Sequence, residues 1–396
     1  TGLAERDRRL AYALAAGTLR RQAELDRELD LSRADPRLHD ILRLGAFQLR
    51  ALTRVPTHAA VSTSVALARE TAGEKAAGYV NQALRKLVGA GGVEPRAGAT
   101  HPEWLVRRWR NRFGAADTER LIAWNDTRPM LTLQPVRWDM ETLTRRLEDA
   151  GIEVTPAPFE AGLRLAPGRP TSHTPHPTQL PGFEEGGFLV QDTAQALVCR
   201  FAAIPPGARV YDACAAPGGK AVQLEAAGAR VVAGDARRDR LDRLAETVRR
   251  CGVAIRVVLA DLLAAPLEAA AVDAVLLDAP CTATGTMARH PDARWRLTPG
   301  AIARAAARQR RLFDAAARLV RPGGLLVYAT CSLEPEENAD VVDQFLRRHP
   351  AFAREPRDGA VPAALMSAAG DFQTTPQRHG VDGAYAARLR RARKTA

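Results

Sequence analysis

The sequence predicts a multidomain chain: an all-α unit over residues 1–92, a small α/β connector over 93–178, and an α/β domain over 179–396. Three observations carry this. Apolar residues recur at helical spacing through the first 92 residues, and a short β-α-β-β pattern follows. From about residue 182 strand-like and helix-like segments alternate, the pattern of a parallel sheet with crossover helices. At roughly 100–200 residues per domain, 396 residues suit two or three domains.

In the first unit, 4–31 reads as one Ala/Leu-rich helix, with Leu10, Leu14, Leu25 and Leu29 at helical spacing. Pro36 heads a second helix running to Leu52, Pro56 breaks the pattern, and 58–70 and 76–88 supply further helices before the glycines near residue 92. The connector is expected to hold helices at 104–113, 116–124 and 140–150, with strands at 130–136, 152–155 and 163–165. The Pro/Gly/Thr-rich 156–181 reads as a linker. In the third unit the predicted strands are 209–213, 230–234, 255–260, 274–278 and 325–330, with a late strand at 384–389. Helices are expected at 220–227, 237–251, 301–320 and 341–348. In such a sheet a ligand lies beyond the carboxyl ends of the strands, at the switch point.

Composition excludes several classes. With 46% hydrophobic and 26% charged residues the chain buries a core and is not disordered overall. No apolar run reaches the about 18 residues of a membrane span, and no charged-then-apolar leader opens the sequence, so a cytoplasmic protein without a membrane partner is expected. The five cysteines include no CxxC pair, which excludes a zinc ribbon and a disulfide scaffold, and no metal is expected. The net charge is +12, and only Lys75, Lys86, Lys220 and Lys394 of the 57 basic residues are Lys. A GC-rich coding sequence writes such an Arg excess anywhere. The distribution, however, is 15 basic against 10 acidic groups in 1–92, 12 against 11 in 93–178, and 30 against 24 in 179–396. The excess sits in the outer units, as a nucleic-acid partner would favour.

Chemistry concentrates at the predicted strand ends. Tyr211-Asp-Ala-Cys-Ala-Ala-Pro-Gly-Gly-Lys220 closes a strand and opens a helix, where glycines allow a tight turn and free N–H groups face a ligand. It is not a P-loop, since Ala221 follows Lys220, and GxGxxG is absent. Asp235, Asp261 and Asp278 end three consecutive strands. A carboxylate at the second strand takes ribose hydroxyls, and one at the third is placed for the exocyclic amine of adenine, although each acid also suits a helix cap. A nucleoside with an anionic arm and no phosphate loop is implied, and S-adenosyl-L-methionine fits.

Two cysteines follow the fourth and fifth strands, Cys281 in Asp278-Ala-Pro-Cys281 and Cys331 in Ala329-Thr-Cys331-Ser. Disulfide redox, metal binding, thioester chemistry, nucleotide editing and attack on a pyrimidine ring all use such thiols. The last suits methylation at carbon 5 of cytosine. A thiolate added to C6 makes C5 an enamine carbon that attacks a sulfonium methyl, an acid near N3 such as Asp278 stabilises the adduct, and a second thiol helps expel the first. Cys199 and Cys251 read as packing residues.

These blocks, with Arg289-His-Pro-Asp292 and Tyr328-Ala-Thr-Cys-Ser-Leu-Glu-Pro-Glu-Glu-Asn338, resemble the motifs of the RNA cytosine-5 methyltransferases of the Sun/Fmu/Nop2 family over about 180–396. Leu42-Arg-Leu-Gly-Ala-Phe-Gln-Leu49, Pro56-Thr-His-Ala-Ala60 and Tyr79-Val-Asn-Gln-Ala-Leu-Arg85 resemble the NusB-type RNA-binding domain, a pairing found in the branch of the family that acts on small-subunit ribosomal RNA. The resemblance implies a Rossmann-like class I methyltransferase domain and methylation of a cytosine in 16S rRNA by a monomer. It implies that Cys214, Ala215, Ala216, Pro217, Gly218, Gly219 and Lys220 cradle the methionine end of the cofactor, with Asp235 at the ribose, Asp261 at the adenine, and Asp278 near cofactor and base. It makes Cys331 the nucleophile and Cys281 the residue assisting release. A tRNA cytosine-5 methyltransferase would keep the same catalytic motifs, and a non-catalytic RNA-binding or antitermination factor is the reading from another class. The family pattern is departed from at Ala221, where Thr is usual, at Leu262, and in Asp382-Gly-Ala-Tyr385, which lacks one aromatic. The Arg-rich 237–250 and 304–321 and a basic tail at 388–394 are candidate phosphate contacts, with an ordinary solvated face as the alternative for each.

Overall fold

The computed structural model describes residues 4–90, 100–166, 176–264, 267–357 and 359–393. Most of the boundary expected at 89–100, the middle of the linker expected over 156–181, and Lys394 lie outside these residues. The chain forms two compact units, Thr1–Thr127 with Met287–Arg296, and Arg128–Thr286 with Leu297–Ala396.

The first unit is helical. The expected helix over 4–31 is two, Glu5–Arg20 and Gln22–Glu28, because Arg21 leaves helical geometry at ψ 11°. His39–Ala51, Thr57–Ala72 and Glu74–Gly89 follow, and their inward faces bury Leu42, Ala46, Val80 and Leu84 together with Leu25. Gly73, at φ +86°, makes the turn between the last two. Helices Glu103–Phe113 and Ala115–Asp126 belong to this unit, as does the segment 287–296. That segment is fastened by Arg294, whose fully buried guanidinium donates to Asp126 Oδ1 at 2.7 Å and to the carbonyls of Asn125 and Thr100 at 2.9 and 3.1 Å. The two terminal nitrogens thus hold the buried guanidinium, while its Nε has no partner among the described residues.

The second unit holds two sheets. The smaller has four strands, β1 (Thr132–Pro135), β2 (Val154–Pro156), β3 (Leu163–Leu165) and β4 (Phe188–Val190), in the order β2-β3-β1-β4, every pair antiparallel. Helix Met140–Asp149 buries Leu143 and Leu147 on it. The connector's β-α-β-β pattern is thus completed by β4, a strand from the lead-in to the catalytic segment.

The larger sheet has eight strands, β5 (Arg209–Asp212), β6 (Arg230–Asp235), β7 (Arg256–Leu259), β8 (Val272–Asp278), β9 (Val320–Thr330), β10 (Phe352–Arg354), β11 (Phe372–Thr374) and β12 (Ala384–Arg391). Its order is β10-β12-β9-β8-β5-β6-β7, with β11 paired to β12. Strands β5 to β9 are parallel, as the alternation predicts, while the late strand β12 runs antiparallel to β9. The chain moves outward from β5 to β7, then returns to the other side of β5 as β8. That reversal opens a crevice beyond the carboxyl ends of β5 and β8. Near-continuous apolar runs, such as Val275, Leu276 and Leu277, mark strands buried on both faces. One face packs Phe313, Tyr328 and Phe345, with ring centroids 4.7 and 4.1 Å apart, and the other packs Val222, Leu244 and Val248.

The basic tail expected at 388–394 is corrected here. Its start is the end of β12, where Arg388 is buried, Arg390 pairs with Glu355 at 2.5 Å, and Arg391 donates to the Val320 carbonyl at 2.5 Å. Arg250 likewise is spent internally, donating to the Phe183 carbonyl at 2.8 Å with its guanidinium over the Phe183 ring.

Candidate active site

The loop after β5 is tied to both neighbouring strands, Ala213 N–H donating to the Leu276 carbonyl and Ala215 N–H to that of Gly234, each at 2.9 Å. Gly218, at φ +109°, turns the chain into helix Gly219–Ala226, and a Cβ there would come within 2.8 Å of Leu244 Cδ1. A Cβ on Gly219 would lie 2.9 Å from Gln191 Nε2. The turn therefore leaves bare backbone facing the crevice, with no side-chain cap on the helix.

The acids stand where the strands end. Asp235 is buried at the end of β6, and its Oδ1 accepts the Arg237 N–H at 3.0 Å. Asp261 lies two residues beyond β7, its Oδ1 accepting the Leu263 N–H at 2.9 Å. Both acids thus serve local turns through one oxygen. Beside Asp261 opens a cavity of about 450 Å³ lined by Tyr211, Val232, Val258 and Leu267 together with Arg256 and Asp261 itself. Apolar walls, a carboxylate and a glycine turn without side chains suit a nucleoside carrying an amino-acid arm, so these residues fit S-adenosylmethionine.

Asp278, at the end of β8, accepts Lys220 Nζ at 2.7 Å, and Lys220 also donates to Gln195 Oε1 at 2.5 Å. Burial, the largest influence, pushes the Lys220 ammonium down; the charge and hydrogen bond of Asp278 outweigh it, and the net shift is upward from 10.5. Asp212, fully buried at the end of β5, is pushed up to about 7 by burial and next by the charge of Asp278.

The two thiols meet. Strands β8 and β9 pair with Asp278 beside Ala329, which brings the residues after each strand level with one another, and Cys281 Sγ lies 3.2 Å from Cys331 Sγ. The loops interlock through Ala279 N–H to the Ala329 carbonyl at 2.8 Å and Gly285 N–H to the Cys331 carbonyl at 3.0 Å. A Cβ on Gly285 would sit 2.7 Å from that carbonyl oxygen, so only glycine fits. The Cys281 thiol is pushed up, first by its hydrogen bond with Cys331, then by burial and the charges of Cys331 and Glu337.

Of the other cysteines, Cys251 packs in the core, and burial pushes Cys199 up to about 12 and raises Cys214 as well. Sequence reasoning did not single out Asp212, Gln195 or Glu337, although the first and last lie inside quoted motif blocks. Among the described residues no group of three His, Cys, Asp or Glu side chains is placed to hold a metal ion, and no helix is long and apolar enough to cross a membrane.

Family models match the chain in order: the NusB family over residues 1–88, the ferredoxin-like domain of RsmF/B-like methyltransferases over 101–172, and 16S rRNA methyltransferase RsmB/F over 202–390. Ribosomal RNA small subunit methyltransferase B of Xylella fastidiosa is 37% identical, the match covering 97% of this chain and 92% of that protein. The enzyme of the same name from Pasteurella multocida is 33% identical over 89% of this chain and 80% of its own length. The solved structure of PH0851 superposes with a TM-score of 0.83 at 26% identity, covering 98% of this chain and 91% of that one. With helical, ferredoxin-like and catalytic segments in this order and 37% identity along nearly its whole length, the chain belongs to the RsmB/F family of S-adenosylmethionine-dependent 16S rRNA methyltransferases.

Proposed function

We propose that the protein methylates carbon 5 of a cytosine in small-subunit ribosomal RNA through a covalent bond between Cys331 and C6. The observation that carries this is the 3.2 Å contact between Cys281 and Cys331 beside the Lys220–Asp278 pair. A redox dithiol or a metal site would not call for a buried ammonium–carboxylate pair at the cofactor loop, whereas an enamine intermediate needs a nucleophile and a proton source together.

Cys331 adds as thiolate to C6, and N3 takes a proton that Lys220 Nζ supplies through the Asp278 carboxylate to which it is bonded. Bound S-adenosylmethionine supplies an electrophilic methyl group on a sulfonium. The bare turn Cys214, Ala215, Ala216, Pro217, Gly218 and Gly219, with Lys220, holds the methionine end; Asp235 holds the ribose and Asp261 the adenine amine. After the C5 proton leaves to solvent, the C6–S bond breaks, N3 returns its proton through Asp278 to Lys220, and Cys331 departs as thiolate with the Cys281 thiol hydrogen-bonded to it. The base has to leave the stack for the thiolate to reach C6, so loop or single-stranded RNA is the target. The unit 1–92 binds RNA, 93–178 connects, and 179–396 catalyses, in a cytoplasmic monomer.

The test is adduct trapping. Cys281→Ala is expected to accumulate a covalent protein–RNA species on denaturing gels, and Cys331→Ala to form none and to be inactive. The reverse pattern would exchange the two roles. Bisulfite mapping of a deletion strain decides the RNA: a methylcytosine lost from tRNA alone would overturn the ribosomal reading.

A further inference from the structure

Behind the thiols the two cysteine loops share one buried carboxylate. Glu337 ends the single turn Pro335–Glu337 after β9 and is fully buried. Its Oε2 accepts the Thr282 N–H at 2.9 Å and Gln309 Nε2 at 2.9 Å, while Oε1 accepts the Ser332 hydroxyl at 2.7 Å and the Thr282 hydroxyl. Thr282 follows Cys281 and Ser332 follows Cys331, so a single carboxylate grips the residue next to each sulfur. Gln309 also donates to the Pro280 carbonyl at 3.0 Å, which fixes the residue on the other side of Cys281. The turn carrying Glu337 is itself pinned, Tyr328 Oη donating to the Glu337 carbonyl at 2.6 Å and Asn338 Nδ2 to the Ser332 carbonyl at 2.8 Å.

Burial raises the pKa of Glu337, and the bonds from Thr282, Ser332 and Gln309 oppose that shift. Apolar side chains would fasten two turns without the desolvation cost of a carboxylate. What the carboxylate adds is four directed bonds, with its charge beside Cys281. We infer that Glu337 is a positioning residue of the methyl transfer, holding the Cys281 and Cys331 loops together so that the sulfurs stay in contact through adduct formation and release. The inference rests on the proposal that Cys331 is the nucleophile.

The experiment uses the full chain with small-subunit rRNA transcribed with 5-fluorocytidine, whose C5 fluorine cannot leave as a proton and so retains the adduct. Glu337→Gln keeps the geometry: its amide oxygen accepts from Thr282 N–H and Gln309, and its amide nitrogen donates to the two hydroxyls, which rotate to accept. We expect it to form adduct within about threefold of the wild-type rate. Glu337→Ala is expected to lose about 100-fold in adduct formation and kcat, with KM for cofactor and RNA unchanged, because a displacement of about 1 Å costs that much. Ser332→Ala, which removes the carboxylate's hold on the Cys331 loop together with the hydroxyl's contacts to Thr284 and the Glu334 N–H, should lose about tenfold. It decides the matter together with Glu337→Gln if the Ala variant does not fold. Equal impairment of Gln and Ala variants, or Ser332→Ala within about threefold of wild type, overturns the role of Glu337. Wild-type protein that forms no adduct at all would instead overturn the nucleophile assignment beneath it.

Discussion

Replacing Lys220 with Met tests whether charge fastens the glycine turn after β5 to β8. The ammonium lies 2.7 Å from Asp278 Oδ2, with the Lys220 side chain 10% exposed and that of Asp278 31%. At an effective dielectric near 20, charges that close attract by about 6 kcal/mol before desolvation is subtracted. Desolvation takes back much of this, so breaking the pair costs more than the pair contributes. Removal of one partner from a buried pair costs about 3–5 kcal/mol; since Asp278 is partly hydrated, about 2–3 kcal/mol is expected for Lys220→Met. The double variant Lys220→Met/Asp278→Asn should recover at least half of that, because no carboxylate is left unpaired. The Lys220 pKa is raised above 10.5, so its contribution is fully present below that value and is lost only as pH rises past the folded-state pKa. The loss in urea-unfolding free energy should be larger at about pH 8 than at about pH 6, because Lys220 also holds down the raised pKa of Asp212, and this part of the loss is felt only where Asp212 would otherwise ionise. A single variant within about 0.5 kcal/mol of wild type, or a double variant less stable than the single, would refute the reasoning.

Two further outcomes are expected. Asp235→Ala should weaken S-adenosylmethionine binding about 10- to 100-fold in calorimetry, the loss of one or two hydroxyl bonds to a carboxylate; unchanged affinity removes Asp235 from the site. Asp212, raised from 3.8 to about 7, keeps its proton in the fold where the unfolded chain has lost it, so wild-type stability should fall as pH rises through that window. Asp212→Asn should flatten that fall in pH-dependent urea titrations, and an unaltered slope would place the proton elsewhere.

Strands β5 to β9 were legible because buried parallel strands are short apolar runs bounded by turn residues. The direction of β12 was not, since apolar periodicity carries no polarity along the chain. The break at Arg21 has neither Gly nor Pro to announce it. Arg294 carried no signal in the sequence and Arg388 fell in an expected basic tail; only packing reveals both as buried. Glu337 was in view within a motif and passed over for the same reason: a Glu among Glu residues looks like surface until Thr282, Ser332 and Gln309 surround it.

The sequence by itself determined the order of the domains, the glycine turn, the acids at the strand ends and the identity of the two thiols, because each depends on residue type and local spacing. Only the tertiary structure decided that thiols separated by 50 residues stand 3.2 Å apart, that Lys220 pairs with Asp278, and that the Cys281 thiol is pushed up. Those follow from the adjacency of β8 and β9 and from burial, which set distance and desolvation, and neither quantity is written along a chain.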